Sequence, residues 1–290
     1  RIDVEAGYVV ARTPPGGLVG GRVVFEKITV GGTENALTAA ALARGETVIE
    51  NAAREPEIVA LAQLLRTMGV KIEGEGTHRI LVQGQDRLEG CRFEVPPDRI
   101  EAGTLMCAGA IGQGSLTLAN CPVAHLEALV EKLREADCRV HTGSLSSEGI
   151  GELTIEAPFR PRAVDVMTGE DPGFPTDMQA QLMAVMSVAQ GRSMMTERIF
   201  ENRYLHASEL IRMGADIHLE GRTATVRGVE RLSGAPVTAS DLRASASLVL
   251  AGLVAQGETV VRRIYHLDRG YENLEIKLTK LGAMVSRESE

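Results

Sequence analysis

A threonine and a carboxylate stand directly before a long apolar stretch in the second half of the chain. Thr176 and Asp177 precede an apolar run that reaches Gly191. Side chains of these types are common at helix starts because their oxygens accept the unpaired N–H groups of the first turn. A helix N-terminus also carries partial positive charge, which favours anions. We therefore predict that Asp177 is a carboxylate at a helix start where an anionic ligand also binds, with a plain helix cap as the alternative.

Three arginines are candidates for binding the anion. Arg203, Arg243 and Arg269 each lie in a short polar segment between apolar runs. A guanidinium stays charged, and its planar donors match a carboxylate or phosphate in pairs. The residues alone favour the alternative role, ion pairing with neighbours such as Asp241 and Asp268, which does not exclude ligand binding.

The apolar stretch after Asp177 has the spacing of a helix with one buried face. The residues that fit this face are Leu182, Ala184, Val185, Val188 and Ala189. Gly191 is expected to end this helix as a C-terminal cap.

The same order of elements recurs four times, over about 22–84, 91–157, 163–228 and 236–288, which we number repeats 1 to 4. Each repeat has a strand, a polar turn, an apolar helix ending at glycine, a short strand, a second helix and one or two strands. The helix-ending glycines are Gly45, Gly114, Gly191 and Gly257. The short strands that follow are Thr47–Ile49, Leu116–Leu118, Ser193–Met195 and Thr259–Val261. The second helices are expected to end near Gly69, Asp137, Gly214 and Gly282.

Residues 1–12 read as two strands around an Ala6-Gly7 turn and are similar to the closing hairpin of repeat 3 at 216–227. The first residue is Arg1 rather than Met. We therefore expect the chain to open at the end of a further repeat and to be part of a longer protein. Residues 13–21 are a loop by composition.

Charge and composition exclude several classes of protein. A net charge of −8 and a pI near 5.4 argue against general nucleic-acid binding. No apolar run approaches the roughly 18 to 20 residues of a membrane span, and no signal-peptide pattern opens the chain. We expect a cytoplasmic protein with reduced structural thiols and no metal site. The cysteines are Cys91, Cys107, Cys121 and Cys138.

Long strings along the chain resemble one family, the UDP-N-acetylglucosamine 1-carboxyvinyltransferases, which are enolpyruvyl transferases. The strings are Asn51–Glu57, Pro97–Glu101, Phe174–Gln181, Glu201–Arg203, Asp241–Leu248 and Asp268–Tyr271. The resemblance implies an α/β fold, an inside-out α/β barrel of βαβαββ units in two domains. It places the latter part of the UDP-sugar domain at 1–95 and the second domain, with the catalytic Asp and Arg cluster, at 96–290.

The resemblance also implies the reaction. Members of the family join phosphoenolpyruvate to the 3′-hydroxyl of UDP-N-acetylglucosamine and release phosphate, in peptidoglycan precursor synthesis. The implied partners are these two small molecules, without nucleic acid, membrane, metal or organic cofactor. Asp177 is expected to act in deprotonating the 3′-hydroxyl, and a carboxylate within reach of that proton could do so.

The resemblance assigns further residues to substrate binding. Arg203, Arg243 and Arg269 are expected around phosphoenolpyruvate, with Arg269 also catalytic and Asp241 orienting Arg243 or its neighbours. The residues expected to contact the sugar nucleotide are Lys27, Ile28, Thr29, Val30 and Ile199. After Val30, the stretch Gly31–Asn35 departs from the small and β-branched residues usual in the family.

Other parts of the family pattern have no counterpart in this sequence. These are an N-terminal Lys-Asn pair, a mobile loop with a reactive cysteine and a following arginine, and an upstream uridine-binding arginine. None of the four cysteines matches that loop. We expect residues 1–290 alone to bind substrate weakly and to turn over little, since such groups stabilise charge in the transition state. The competing functions are 3-phosphoshikimate 1-carboxyvinyltransferase and a catalytically silent binding homologue.

Overall fold

A computed structural model describes residues 2–288 of the chain. The chain divides into two compact units. The N-terminal unit comprises the residues up to Pro96 together with Glu170–Pro172, and the C-terminal unit comprises Pro97–Gly169 and the residues from Gly173 onward. Arg1, with which the predicted opening hairpin starts, and residues 289–290 of the predicted second domain lie outside the described residues.

The N-terminal unit begins with the predicted hairpin, which is confirmed. Ala6 and Gly7 both have positive φ, 51° and 84°, as a two-residue turn between antiparallel strands requires. Repeat 1 follows as one four-stranded sheet in the order β3-β4-β6-β5 with two helices. The elements are β1 (Ile2–Glu5), β2 (Tyr8–Ala11), β3 (Arg22–Val24), α1 (Val30–Ala40), β4 (Glu46–Glu50), α2 (Pro56–Thr67), β5 (Lys71–Glu73) and β6 (Arg79–Gln83).

The C-terminal unit contains repeats 2, 3 and 4, each with its own sheet. The elements of repeat 2 are α3 (Arg99–Ile111), β7 (Ser115–Cys121), α4 (Glu127–Glu135), β8 (Arg139–Leu145) and β9 (Gly151–Glu156). Those of repeat 3 are β10 (Val166–Met167), α5 (Gln179–Val188), β11 (Arg192–Thr196), α6 (Leu205–Arg212), β12 (Asp216–Glu220) and β13 (Thr223–Arg227). Those of repeat 4 are β14 (Pro236–Thr238), α7 (Leu242–Gly252), β15 (Val260–Arg262) and α8 (Leu274–Lys280).

The predicted order of elements is complete in repeats 1 and 3. In both repeats the first strand pairs parallel with the second strand. The last strand of the closing hairpin then pairs antiparallel with that second strand. Within residues 2–288, repeat 2 has no strand before α3, where Pro96 and Pro97 each lack a ladder donor. Residues 283–288 form no closing strand after α8, so the prediction was wrong at these two places. The short strand after each glycine is confirmed in all four repeats.

The glycines predicted to cap the first helix of each repeat have a different role. Those helices end at Ala40, Ile111, Val188 and Gly252, three to five residues before the glycines. Gly45, Gly191 and Gly257 instead have positive φ between helix and strand, and in repeat 2 the residue before Gly114 takes that conformation. The glycines therefore turn the chain into the next strand, where a left-handed residue is needed.

The second helices end as predicted, with the same hydrogen-bonded motif in every repeat. In repeat 1 the Gly69 N–H bonds to the Arg66 carbonyl at 2.9 Å and the Val70 N–H to the Leu65 carbonyl at 3.0 Å. This pair of bonds is the Schellman motif, which needs a left-handed residue. The other repeats carry equivalent bonds. The left-handed residues have φ of 100° at Gly69, 67° at Asp137, 91° at Gly214 and 97° at Gly282.

Helix α5 is buried on every side. All ten of its residues are buried, so the predicted single buried face was too narrow. It packs against α3, α6 and α7 and against strands β11 and β13. A helix that is buried all round lies in a core, and α5 is the central helix of the C-terminal unit.

Three of the four cysteines are also in this core. Cys107, Cys121 and Cys138 are buried, whereas Cys91 is exposed. Burial raises the pKa of Cys121 and of Cys138 to about 11. A thiol that is protonated at neutral pH is a poor nucleophile, which agrees with a structural role for these side chains.

The helix-terminating glycines give a test of the repeat geometry. We expect Gly69→Ala to lower the free energy of unfolding by about 1 kcal/mol, because an L-residue is strained at positive φ. An added Cβ at Gly69 meets no atom within 4 Å, so a clash would not contribute. Gly31→Ala in α1 is the control: its Cβ also meets nothing within 4 Å, and it should stabilise by about 0.5 kcal/mol. If Gly69→Ala and Gly31→Ala changed the free energy of urea unfolding equally, the requirement for glycine at the end of α2 would be contradicted.

Buried His206 gives a pH test. It is 2% exposed, and burial, with the charge of Arg203, lowers its pKa to about 4 against the opposing charge of Asp241. The unfolded imidazole binds a proton below about pH 6.5, whereas the folded one stays neutral to about pH 4. Stability is therefore lost as pH falls through this window, by up to about 1.4 kcal/mol per pH unit. We expect His206→Gln to reduce the slope of the unfolding free energy against pH between pH 6.5 and 4. Substitution of the exposed His218 by Gln should leave that slope as in the wild type. Equal slopes in the two variants would contradict the expectation.

Candidate active site

Asp177 lies in a single 3₁₀ turn, Thr176–Met178, that leads into α5. Asp177 therefore lies at a helix start, as predicted, but its carboxylate does not cap the helix, which was the alternative role. Instead Oδ1 accepts a hydrogen bond from Nη2 of Arg203 at 2.6 Å, and Oδ2 accepts one from Nη2 of Arg243 at 2.8 Å. The Asp177 side chain is 37% exposed, so it keeps access to solvent between the two cations.

Arg243 is placed by the start of α7. Asp241 is the N-cap of this helix, and its Oδ1 accepts the amides of Arg243 at 2.9 Å and Ala244 at 3.0 Å. The Asp241 carboxylate thus holds the backbone of Arg243, while the guanidinium extends to Asp177. Burial raises the pKa of Asp241, but the bonds from Ala244, Ser240 and Arg243 outweigh it, so the pKa lies below its usual value.

The guanidinium of Arg243 also contacts a buried polar cluster. Nη1 donates to the Tyr271 hydroxyl at 3.4 Å, and the guanidinium lies 5.9 Å from the Tyr271 ring centroid. Burial lowers the pKa of Arg243, but the charge of Asp177 and the contact with Tyr271 outweigh it and raise the pKa above its usual value. Arg243 is therefore a fixed cation.

Three side chains from distant segments make up this polar cluster: Thr104 of α3, Gln181 of α5 and Tyr271. The Tyr271 hydroxyl is 2.8 Å from Thr104 Oγ1, and Gln181 Nε2 donates to both oxygens, at 3.3 Å and 3.1 Å. Thr104 donates its own proton to the Ile100 carbonyl, so Tyr271 must donate to Thr104 and accept from Gln181 and Arg243. Sequence reasoning gave these residues no role, although Gln181 and Tyr271 lie in strings that it quoted.

Arg203 is carried by the segment 197–204 between β11 and α6. Its guanidinium carbon lies 5.1 Å from the centroid of the Phe200 ring, a cation–π distance. The same segment contains Ile199, whose amide donates to Glu197 Oε1 at 2.8 Å. Asp177, Arg203 and Arg243 are therefore brought together, with Ile199 on the segment that carries Arg203.

Arg269 is the last residue of a 3₁₀ turn, Ile264–Arg269, and is exposed. It forms no hydrogen bond or ion pair within the part of the chain that the structure describes. Its neighbour Asp268 pairs with Arg287 at 2.7 Å, so the alternative role of Arg269, an ion pair with Asp268, is not observed. The turn packs on α7: a Cβ at Gly270 would lie 2.9 Å from Leu242, the residue before Arg243.

The predicted nucleotide-binding residues lie at the start of α1 in the N-terminal unit. Thr29 is the N-cap, and its Oγ1 accepts the Gly32 amide at 3.2 Å. A Cβ at Gly32 would lie 2.4 Å from Thr29 Cγ2, so glycine is required for this close turn. Ile28 and Val30 are partly buried, and Lys27 is exposed without an ion pair among residues 2–288.

Two further features of the described residues bear on the site. Residues 2–288 contain no cluster of three or more His, Cys, Asp or Glu side chains suited to a metal ion. None of the helices described is both long and apolar enough to cross a membrane.

Comparisons with known proteins identify the family. The family model described as EPSP synthase (3-phosphoshikimate 1-carboxyvinyltransferase) matches residues 1–278. The UDP-N-acetylglucosamine 1-carboxyvinyltransferase of Azorhizobium caulinodans is 56% identical over 286 residues, covering 99% of this chain and 65% of that protein. The protein of the same name from Nitratidesulfovibrio vulgaris is 54% identical over 290 residues, covering 100% of this chain and 68% of that protein. The chain thus spans about two thirds of the length of these relatives.

Solved structures agree with this assignment. The enolpyruvyl transferase NikO from Streptomyces tendae matches with a TM-score of 0.77 at 27% identity, over 87% of this chain and 59% of that one. EPSP synthase from Acinetobacter baumannii matches with a TM-score of 0.75 at 19% identity, over 94% of this chain and 64% of that one, which shows the fold alone. The resemblance predicted from the sequence strings is confirmed, and the chain belongs to the EPSP synthase family of carboxyvinyl (enolpyruvyl) transferases.

Proposed function

We propose that the protein transfers the enolpyruvyl group of phosphoenolpyruvate to the 3′-hydroxyl of UDP-N-acetylglucosamine and releases phosphate. This is the first committed step of peptidoglycan precursor synthesis, a cytoplasmic process linked to cell-wall growth and division. The observation that carries the proposal is the Asp177 carboxylate held between Arg203 and Arg243. It joins a proton acceptor to an anion-binding pair, in a chain whose relatives carry this enzyme's name.

Asp177 serves as the base in this proposal. The 3′-oxygen bonds to C2 of phosphoenolpyruvate while its proton passes to Asp177 and a proton from solvent adds to C3. Loss of a proton from C3 to solvent then regenerates the C2–C3 double bond as the C2–O bond to phosphate breaks and phosphate leaves. A general base must reach the proton it takes, and the partly exposed carboxylate of Asp177 meets that requirement.

The arginines bind the phosphate and carboxylate of phosphoenolpyruvate. Arg203 and Arg243 each use one nitrogen on Asp177, which leaves further donors for a substrate anion. Arg269 is exposed and has no hydrogen-bond partner among residues 2–288, so it is assigned to the leaving phosphate. When substrate anions draw the guanidinium groups away from Asp177, the carboxylate is released to accept the hydroxyl proton.

The start of α1 binds the uridine nucleotide. Lys27 supplies an exposed positive charge, and the α1 N-terminus supplies backbone donors beside Thr29. Ile28 and Val30 offer partly buried apolar contacts, and Ile199 contributes a contact near the sugar.

The finer fold description belongs with this function. We propose that each unit is part of an inside-out α/β barrel, with 1–95 the latter part of the UDP-sugar domain and 96–290 the second domain. The mutual packing of the buried helices α3, α5 and α7 supports this arrangement. A division of the chain next to Pro96 supports the boundary.

The transfer to 3-phosphoshikimate is the competing activity, because the matching family model carries that description. The relatives at 54% and 56% identity carry the UDP-sugar name instead. Calorimetry with UDP-N-acetylglucosamine and 3-phosphoshikimate in parallel separates the two activities. Binding without turnover would identify a silent homologue.

We predict that Asp177→Asn weakens UDP-N-acetylglucosamine binding at least about tenfold. A hydrogen bond to a charged group contributes roughly 1.5 to 3 kcal/mol. Binding by calorimetry is the main readout, since the chain spans about two thirds of its relatives' length. Asp216→Asn makes the same change in an exposed strand of the same unit and should leave affinity unchanged. Unaltered binding by Asp177→Asn would remove this residue from the sugar site.

We predict that Lys27→Ala weakens binding of UDP five- to tenfold, or about 1 to 1.4 kcal/mol. The loss should shrink as salt rises, because an exposed charge is screened. Lys71→Ala in β5 is the matched control, since it removes an exposed lysine from the same unit. If both variants bind UDP equally well in a fluorescence titration, the nucleotide lies elsewhere.

A further inference from the structure

We propose that Glu197 is a positioning residue that fixes the geometry of the Asp177–Arg203 pair. The inference rests on the proposed function for its catalytic meaning, but the geometry it concerns can be measured without a ligand. Glu197 touches neither a reacting group nor Asp177 itself; it acts through the two segments that carry Asp177 and Arg203.

Glu197 is a buried carboxylate held by neutral donors. It is 1% exposed, and no Lys or Arg forms an ion pair with it in the described range 2–288. Its oxygens accept four hydrogen bonds, from the hydroxyls of Thr168 and Thr176 and from two backbone amides. A buried carboxylate without a cation is costly unless its acceptors are satisfied. The four bonds offset that cost and at the same time fix four points of the fold.

One of these points is next to Asp177. The Thr176 hydroxyl donates to Glu197 Oε2 at 2.9 Å. Thr176 begins the 3₁₀ turn in which Asp177 is the second residue. No side chain caps the start of this turn. The hydrogen bond from Thr176 to Glu197 therefore holds the first residue of the turn in place.

Two other points are next to Arg203. Glu197 Oε1 accepts the amides of Ile199 at 2.8 Å and Phe200 at 3.1 Å. The Phe200 ring then supports the guanidinium of Arg203 at 5.1 Å. The carboxylate therefore shapes the segment that presents both Arg203 and Ile199.

The contacts form a closed ring. From Glu197 one branch runs through Thr176 to Asp177, and the other through Phe200 to Arg203, and the two meet in the 2.6 Å bond between Arg203 and Asp177. Because one side chain anchors both branches, releasing either branch should loosen the ion pair. Thr176 is the better place to test this, since Glu197 variants leave several buried donors unsatisfied and can fail to fold.

The variants are Thr176→Val, which removes the hydroxyl at similar volume, and Thr176→Ser, which keeps it. Ser187→Ala is the matched control: it removes a buried hydroxyl, bonded at 2.8 Å to the Met183 carbonyl, at the opposite end of α5. Both melting temperatures should fall, that of Thr176→Val further, because it leaves Glu197 Oε2 without its donor. The Ser187→Ala background shows whether a loss of stability alone changes the ion pair.

The deciding measurement is a double-mutant cycle of Asp177→Asn and Arg203→Gln by urea unfolding, in the wild-type and Thr176→Val backgrounds. We expect the coupling energy between Asp177 and Arg203 to fall by at least half in the Thr176→Val background. The coupling energy should be retained in the Thr176→Ser and Ser187→Ala backgrounds. Coupling that is unchanged by Val, or absent from the wild type, overturns the inference.

Calorimetry with UDP-N-acetylglucosamine then separates the inference from the proposed function. We expect about tenfold weaker binding by Thr176→Val and binding within twofold of wild type by Thr176→Ser and Ser187→Ala. Undiminished binding by Thr176→Val contradicts the positioning role. If the folded wild-type chain binds no sugar nucleotide while the coupling depends on Thr176, the proposed substrate fails and the role of Glu197 stands.

Discussion

The C-terminal unit is arranged around one carboxylate shared by two guanidinium groups. Asp177 can hold Arg203 and Arg243 only if a turn before α5, the segment before α6 and the first turn of α7 meet. Each guanidinium must also be supported on its far side, Arg203 by an aromatic ring and Arg243 by Tyr271. A carboxylate between two cations is well suited to a site that alternates between self-pairing and binding a substrate anion.

The supporting polar groups lie in an otherwise apolar interior, where unpaired polar atoms are costly. Most of the hydrogen bonds in the polar cluster of Thr104, Gln181 and Tyr271 join its members to one another or to Arg243. The Gln181 carbonyl oxygen is the exception and has no partner within residues 2–288. Such a network restricts how α3, α5 and α7 can pack, because any slip of one helix breaks bonds that water cannot replace. The packing of the core therefore fixes Tyr271, and Tyr271 in turn fixes the orientation of the Arg243 guanidinium.

Sequence reasoning succeeded where the signal was local and failed where tertiary contacts competed with it. The opening hairpin and the second-helix ends were predicted correctly because glycines such as Gly7 and Gly69 adopt positive φ readily, which marks a turn or a helix end within a short window. Asp177 lies at a helix start as predicted, but the alternative role of a plain helix cap was wrong, because two guanidinium groups outcompete backbone amides for its oxygens. The single buried face expected for α5 was wrong because neighbouring helices and strands cover all of its sides.

The sequence by itself determined the four repeats, with the full order of elements in repeats 1 and 3, the α/β class and the family, since periodicity, turn residues and long residue strings are read within short windows. It also singled out Asp177, Arg203 and Arg243 as candidates. Only the tertiary structure decided that these three meet, and that Thr104 and Tyr271 support them. Asp177 is 26 residues from Arg203 and 66 residues from Arg243 in the chain. Thr104 and Tyr271 are 167 residues apart. Contacts at such separations are set by how whole helices pack. The role of Glu197 follows from the same packing, because a buried carboxylate is defined by the donors that the fold brings to it.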